Sequence, residues 1–288
     1  PILNRTNVLM YSLSGSATTM SLQTSWFDFS ILVLATVLIT AGGYVINDYF
    51  DIKTDIINRG QVIVGTKIPR RQAMMWHNIF NVSGVIAGIY VSLKAGYLWM
   101  GILFLVVSGL LYFYSASYKR QFLVGNIIVA VLTAMVPMLV LIFEAPALFQ
   151  YYAVNASDIP NLRIIFYWVG GFAIFAFLTT LTREIIKDIE DFEGDVAFGR
   201  STVPVVIGIL ASKIVTVCLV FLTLVLLYLV WYFYLNDVIT LTYMSISIAL
   251  PLIFVIFRII LSQSRKQLHS ASRIMKIAML SGILYSLV

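Results

Sequence analysis

The sequence predicts an all-α protein: a polytopic membrane bundle of about nine transmembrane helices. Three observations carry that expectation. Of the 288 residues, 60% are hydrophobic and only 11% are charged, whereas soluble domains carry about 25% charged residues. Several apolar runs exceed the roughly 20 residues that cross a bilayer. The Lys and Arg residues are also distributed as alternate loops on opposite sides of a membrane would require.

The nine expected spans are 7–21, 27–52, 72–93, 97–117, 122–143, 162–190, 210–235, 238–261 and 272–288. The first and last are short. Span 27–52 ends in "NDYFDIKTD", which holds three aspartates. Span 72–93 contains Gly84-x-x-x-Gly88, a pattern that brings helices close together. Span 97–117 leads into "YFYSASYKR", and 122–143 opens beside Gly125 and Asn126. Span 162–190 ends in a second acidic cluster, "REIIKDIEDFEGD". Span 210–235 holds Cys218, the single cysteine, which cannot form an internal disulfide and reads as a small packing residue. The longest connections fall at 53–71, 144–161 and 191–209. The chain opens on Pro1, so the expectation is that residues precede it, and nothing near it reads as a cleavable signal peptide. A single transmembrane domain, 1–288, is expected, with no linker.

With nine spans, one side collects Arg5 and the basic residues of 53–71, 118–121, 183–213 and 258–276. That is 17 of the 19 Lys and Arg, leaving Lys94 and Arg163 on the other side. The rich side is therefore cytoplasmic, and the net charge of +6 expresses orientation rather than nucleic-acid binding.

Nine of the 13 acidic residues fall in the two clusters: Asp48, Asp51 and Asp55, then Glu184, Asp188, Glu190, Asp191, Glu193 and Asp195. Both contain D-x-x-D-x-x-x-D, and each aspartate of the first has a counterpart 140 positions later. The constant offset implies two four-helix pseudo-repeats, roughly 1–121 and 122–261, with an extra helix at 272–288. On a helix, Asp48, Asp51 and Asp55 lie within about 60° of one another, with Asn47 some 40° beyond Asp51. Asp188, Asp191 and Asp195 form the same arc, whereas Glu190 and Glu193 point elsewhere. Gly194 is a candidate helix end that would release Asp195 from this phase.

Three carboxylates on one stripe repel, and a helix C-terminus disfavours negative charge further. A cation must compensate. Oxygen-only donors fit Mg²⁺ better than zinc, and Mg²⁺ held by a few carboxylates completes its shell with water and substrate phosphates. Diphosphate needs basic partners as well. The candidates are Arg59, Lys67, Lys119, Arg120, Arg183, Lys187 and Arg200. Arg70, Arg71 and the basic group at 265–276 read as orientation signals. Tyr112, Tyr114, Tyr118 and Asn126 lie near the Lys119 turn, where aromatic faces can stabilise a carbocation. His77 and His269 lie far from both motifs in sequence and are not expected as ligands.

These residues resemble the UbiA superfamily of intramembrane prenyltransferases. "NDYFDIKTD" is similar to its first aspartate motif and "DIEDFEGD" to its second. "YSASYK" resembles a Y-S-x-x-x-K element, and "TVPV" at 202–205 resembles the T-L-P-V that follows the second motif. "REIIKDIEDFEGD" is closest to the branch that prenylates geranylgeranylglyceryl phosphate. "NRGQVIVG" departs from the usual R-P-x-R-P-I-P-S-G, since Gly60 replaces a proline and no second arginine stands near Gln61. The N-terminal R-P-x-N element survives only loosely, around Arg5 and Asn7.

The resemblance implies Mg²⁺-dependent transfer of a polyprenyl group from an isoprenoid diphosphate to a lipophilic acceptor. Asn47, Asp51, Asp55, Asp188, Asp191 and Asp195 would hold the metal, with Asp48 a ligand or a positioner. Asp51 and Asp191 are the central residues. Arg59 and Lys119, with Lys67 and Arg120, would take phosphate oxygens, and Tyr114 and Asn126 would line the substrate pocket. The implied partners are the two substrates and membrane lipids, with no nucleic acid and no obligatory protein. A quinone-precursor prenyltransferase is one rival. A cation or proton transporter using intramembrane acids is another, although transporter sites favour the midplane and these acids cluster at one face. A CDP-alcohol phosphotransferase would need D-x-x-D-G-x-x-A-R, which is absent.

Overall fold

The computed structural model describes residues 22–59, 62–155 and 163–287. Among them every long element is helical, and the only β feature is an isolated bridge between Val64 and Ile68. The helices are α1 (Trp26–Arg59), α2 (Arg70–Lys94), α3 (Gly101–Ala116), α4 (Val124–Asn155), α5 (Arg163–Glu190), α6 (Phe192–Ala197), α7 (Val203–Ile207), α8 (Ile209–Val230), α9 (Val238–Tyr243), α10 (Leu250–Ile260) and α11 (Arg265–Leu284). A π-helical turn, Met244–Ala249, joins α9 to α10, so these form one long rod. Six segments are long and apolar enough to cross a membrane: Trp26–Asn58, Leu98–Ala116, Val124–Ala153, Arg163–Glu190, Ile209–Leu235 and Val238–Ile260. The expected span 7–21 lies outside the described residues, as do Arg5 and Asn7.

Two boundaries depart from expectation. The first acidic helix runs on through Asp55 to Arg59 instead of ending at 52. The expected loop at 144–161 is helical as far as Asn155, although Pro137 and Pro146 lie inside α4. A proline removes one hydrogen bond and clashes with the preceding turn. Here apolar residues on both sides of each proline continue the helix.

By contact the chain forms two compact units. Among the described residues, those in 122–134 and 167–287 form one unit and those in 22–121 and 135–166 the other. In the second of these, α2 buries Ala73, His77, Asn81, Gly84, Gly88 and Val91, a single stripe at helical spacing. A Cβ on Gly84 would sit 2.7 Å from Ile39 Cγ1, and one on Gly88 would overlap the Phe104 ring. Both glycines thus permit the close approach that their spacing implies. Leu32, Ala35, Ile39, Val91, Met100, Phe104, Leu139 and Phe143 complete that core. Polar groups inside it are paired: the His77 ring bonds the Gly42 carbonyl at 2.9 Å, and Ser108 donates to Asn81 at 2.6 Å.

The other unit is organised around Val220, Leu227, Leu252, Val255, Ile259, Ala271 and Met275. α8 shows the membrane inversion clearly. It buries Ser212, Thr216, Val220, Thr223 and Leu227 and exposes Leu210, Ile214, Phe221 and Leu229. Ser212, Thr216 and Thr223 each donate to the carbonyl four residues earlier, at 2.7–2.8 Å. Small residues allow close helix packing, while the large apolar ones face lipid. Cys218 is exposed on this helix, so it is not the packing residue expected from its apolar run.

Candidate active site

The first motif rides on one unbroken helix. Asp48, Asp51 and Asp55 therefore keep a common phase, with Asp51 buried and the others half-buried. α3 stops at Ala116, and a 3₁₀ turn, Tyr118–Arg120, carries Lys119 onto that stripe. Lys119 Nζ donates to Asn47 Oδ1 at 3.0 Å and lies 2.8 Å from Asp51 Oδ2. Its side chain is 7% exposed. Thr54 donates to the Asp51 carbonyl at 3.0 Å and lies 3.3 Å from Asp51 Oδ1. Two accepting side-chain oxygens one helical turn apart thus converge on a single cationic group.

The remaining first-motif candidates lie on the flanking elements. Arg59 closes α1, and its side chain lies outside the described residues. Lys67 is exposed on the turn that Gly65 makes at φ +92°, where Val64 packs on Ile52 and Ala73. Arg120 is exposed beside Lys119, and Tyr114 is half-buried in the last turn of α3. Tyr112 instead sets its ring 5.9 Å from that of Phe50.

The second motif is built differently. α5 ends at Glu190, Asp191 takes φ −98° and ψ 10°, and α6 begins at Phe192. The helix is thus interrupted at Asp191, not at Gly194, which is buried inside α6. The single continuous stripe through Asp195 is corrected accordingly. Near-helical hydrogen bonds persist across the break, from Asp191 N to Lys187 O at 2.8 Å and from Asp195 N to Asp191 O at 3.1 Å.

Each acid here has its own partner. Asn126 donates to Asp188 Oδ2 at 2.8 Å, which ties it to the second motif. Arg265 Nη2 lies 2.8 Å from Asp191 Oδ1. Asp195, 3% exposed, accepts from the Thr202 hydroxyl at 3.0 Å and pairs with Arg200 at 3.5 Å. Arg183 and Lys187 both serve Glu184, at 2.6 and 3.2 Å. Glu190 bonds His269 at 2.9 Å, so that histidine does meet the acidic cluster. Glu193 is exposed.

Two of these contacts escaped the sequence. Arg265 and His269 sit in a run of basic residues that orientation alone explains, and only folding brings the start of α11 to the end of α5. Among the described residues, no three His, Cys, Asp or Glu side chains gather at one point. A metal here would be held by few protein oxygens, leaving positions for water and phosphate. Mg²⁺ accepts such an arrangement, and the convergence of Asn47 and Asp51 on one cation fits it.

Apolar helices that expose their large side chains, carrying two acid clusters laced with basic groups, define an integral membrane protein equipped for an anionic substrate. Residues 8–280 match the model of the UbiA prenyltransferase family, and the chain belongs to that family. It is a prenyltransferase. Over 282 residues it is 31% identical to a digeranylgeranylglyceryl phosphate synthase of Methanosphaera stadtmanae, covering 97% of this chain and 94% of that one. A synthase of the same name from Thermococcus kodakarensis is 29% identical, over 90% of this chain and 84% of its own. Among solved structures, a UbiA homologue from Aeropyrum pernix superposes with a TM-score of 0.67 at 14% identity, over 100% and 96% of the two chains. One from Archaeoglobus fulgidus, bound to GPP and Mg²⁺, gives 0.56 at 16% identity, over 100% and 97%.

Proposed function

We propose that this protein transfers a geranylgeranyl group from its diphosphate to geranylgeranylglyceryl phosphate, in a reaction dependent on Mg²⁺. The chemistry rests on one observation above the others: the Asn47 and Asp51 oxygens converge on one cation, 3.0 and 2.8 Å from Lys119 Nζ. The acceptor is supported by likeness along nearly the whole chain to synthases named for that product.

In this reading Asn47, Asp51, Asp55, Asp188, Asp191 and Asp195 are the residues from which the metal would draw its few protein oxygens, with Asp48 supporting them. Bound Mg²⁺ would neutralise the diphosphate and so make it a better leaving group. Lys119, Arg59, Lys67 and Arg120 take phosphate oxygens through charged hydrogen bonds. The allylic C–O bond to diphosphate breaks, the acceptor hydroxyl oxygen bonds to that carbon, and the hydroxyl proton departs. Tyr114 and Asn126 border the substrates. Apolar helix faces exclude water that would otherwise capture the allylic carbon. The site opens to the cytoplasmic side, where 17 of 19 basic residues are assigned, and the chain acts as one domain with two related halves.

The test is product formation by purified protein with labelled geranylgeranyl diphosphate, offered geranylgeranylglyceryl phosphate and, separately, an aromatic acid acceptor. The expected product is the doubly prenylated glyceryl phosphate, with one pyrophosphate released per transfer and none after chelation. Exclusive prenylation of the aromatic acceptor would overturn the acceptor assignment.

A further inference from the structure

The two central aspartates meet basic residues that occupy matching places along the chain. Asp51 lies on α1, two helices follow (α2 and α3), and Lys119 stands just beyond the second. Asp191 stands directly after α5, two long helical segments follow (α8 and the rod from Val238 to Ile260), and Arg265 stands just beyond the second. Both basic groups reach the aspartate at 2.8 Å. The connection that bears Arg265 thus corresponds to the one that bears Lys119.

We propose that Arg265 is a diphosphate-binding residue of the second motif. It neutralises Asp191 when no metal is present and turns to a phosphate oxygen when the metal–diphosphate arrives. This rests on the reading of the aspartate motifs given above.

Three features favour the role. Guanidinium presents a planar fork that matches phosphate oxygens. Its side chain is 37% exposed, against 7% for Lys119, and an ion pair so accessible is held weakly. It can therefore exchange Asp191 for a phosphate. The backbone of Arg265 is also anchored independently of its guanidinium. Ser264 and Gln267 form a capping box at the start of α11, and His269, one turn on, bonds Glu190 at 2.9 Å. Loss of the guanidinium therefore leaves the helix in place.

Equilibrium binding of inorganic pyrophosphate with Mg²⁺, and of Mg²⁺ alone, tests this on the full chain in detergent. Arg265→Gln should weaken Mg²⁺–pyrophosphate binding roughly 10- to 100-fold, with partial recovery in Arg265→Lys. The same Gln variant should bind Mg²⁺ alone at least as tightly as wild type, because a competing cation has gone. His269→Gln, which cuts a neighbouring polar tie of α11, should stay within about twofold of wild type. Unchanged pyrophosphate binding in Arg265→Gln, with loss in Asp191→Asn, would overturn the role of Arg265 alone. Retained binding in Asp191→Asn would overturn the motif reading as well. Equal losses in His269→Gln and Arg265→Gln would make the effect one of helix placement and so overturn the proposal.

Discussion

The two aspartate motifs share a spacing but not a construction. In the first, one nearly buried lysine donates to two acceptors, Asn47 and Asp51, on a helix that continues to Arg59. In the second, the helix breaks at Asp191, and Asp188, Asp191 and Asp195 turn to Asn126, Arg265 and the Thr202–Arg200 pair respectively. One region draws two neighbouring side-chain oxygens onto one lysine, and the other gives its aspartates partners on several different elements. The first should therefore be brittle towards loss of its base. The second should tolerate loss of any one base better, while remaining as dependent on its acids.

The largest effects should come from the acids and the metal they are read to hold, and here the motifs should behave alike. Asp51→Ala and Asp191→Ala should each lower turnover by about 10³-fold or more, on the scale of removing an electrostatic stabiliser of the transition state. Exhaustive chelation should do the same, with recovery on adding Mg²⁺. Turnover assays of both variants with and without chelator check this. Activity that survives chelation would remove the metal from both motifs at once.

The contrast itself is tested by the bases. Lys119→Gln should reduce turnover about 10²-fold and destabilise the protein by about 2–3 kcal/mol, because the lysine is a charged partner of two side-chain oxygens, Asn47 Oδ1 and Asp51 Oδ2. Arg200→Gln should cost only about 1 kcal/mol, since Thr202 still donates to Asp195 at 3.0 Å. Thermal unfolding in detergent and kinetics of the two variants measure the difference. Equal losses would mean that the second motif is as concentrated as the first.

A smaller effect is expected away from both motifs. Glu144, 3% exposed on α4, accepts the backbone N–H of Thr24 at 3.1 Å and that of Gln23. It holds the segment before α1, at the end of that helix remote from the aspartates. Glu144→Ala should cost about 1–3 kcal/mol of stability through the unpaired backbone groups, with the Mg²⁺ dependence of turnover unchanged. An altered Mg²⁺ dependence would show that the two ends of α1 are coupled.

Much of this was legible in the sequence because hydropathy reports directly on helices that must satisfy their backbone in lipid. The helix bearing Asp48, Asp51 and Asp55, the close packing at Gly84 and Gly88, and Lys119 as a basic partner all follow from local patterns. What was hidden depends on tertiary approach or on a single dihedral. No periodicity reveals that Asp191 departs from helical ψ. The stretch after Phe143 reads as a connection, yet α4 continues through it to Asn155. Arg265 was indistinguishable from Lys266, Arg273 and Lys276, since all satisfy the positive-inside rule equally. Asn126 was grouped with Lys119 by nearness in sequence, and its bond to Asp188 depends on the fold.

The smallest expected effect separates a specific site from a mere acidic patch. Glu190 and Glu193 are as acidic as Asp188 and Asp191 and lie in the same short segment. A patch acting through net charge would use all four about equally. The structure gives each glutamate another fate: Glu190 is tied to His269 at 2.9 Å, and Glu193 is exposed on α6. The Glu190–His269 pair includes a ring that is 51% exposed, so its loss should cost little. Glu193→Gln should match wild type, and Glu190→Gln should stay within about twofold of it. Asp188→Asn keeps the shape of the side chain and its capacity to bond Asn126, yet removes one oxygen's charge, and should lose both turnover and Mg²⁺ dependence. Turnover against Mg²⁺ concentration for these variants decides the matter. Should the glutamate variants fall as far as Asp188→Asn, the second motif acts through bulk charge, and the pairing of each aspartate with its own partner carries no functional meaning.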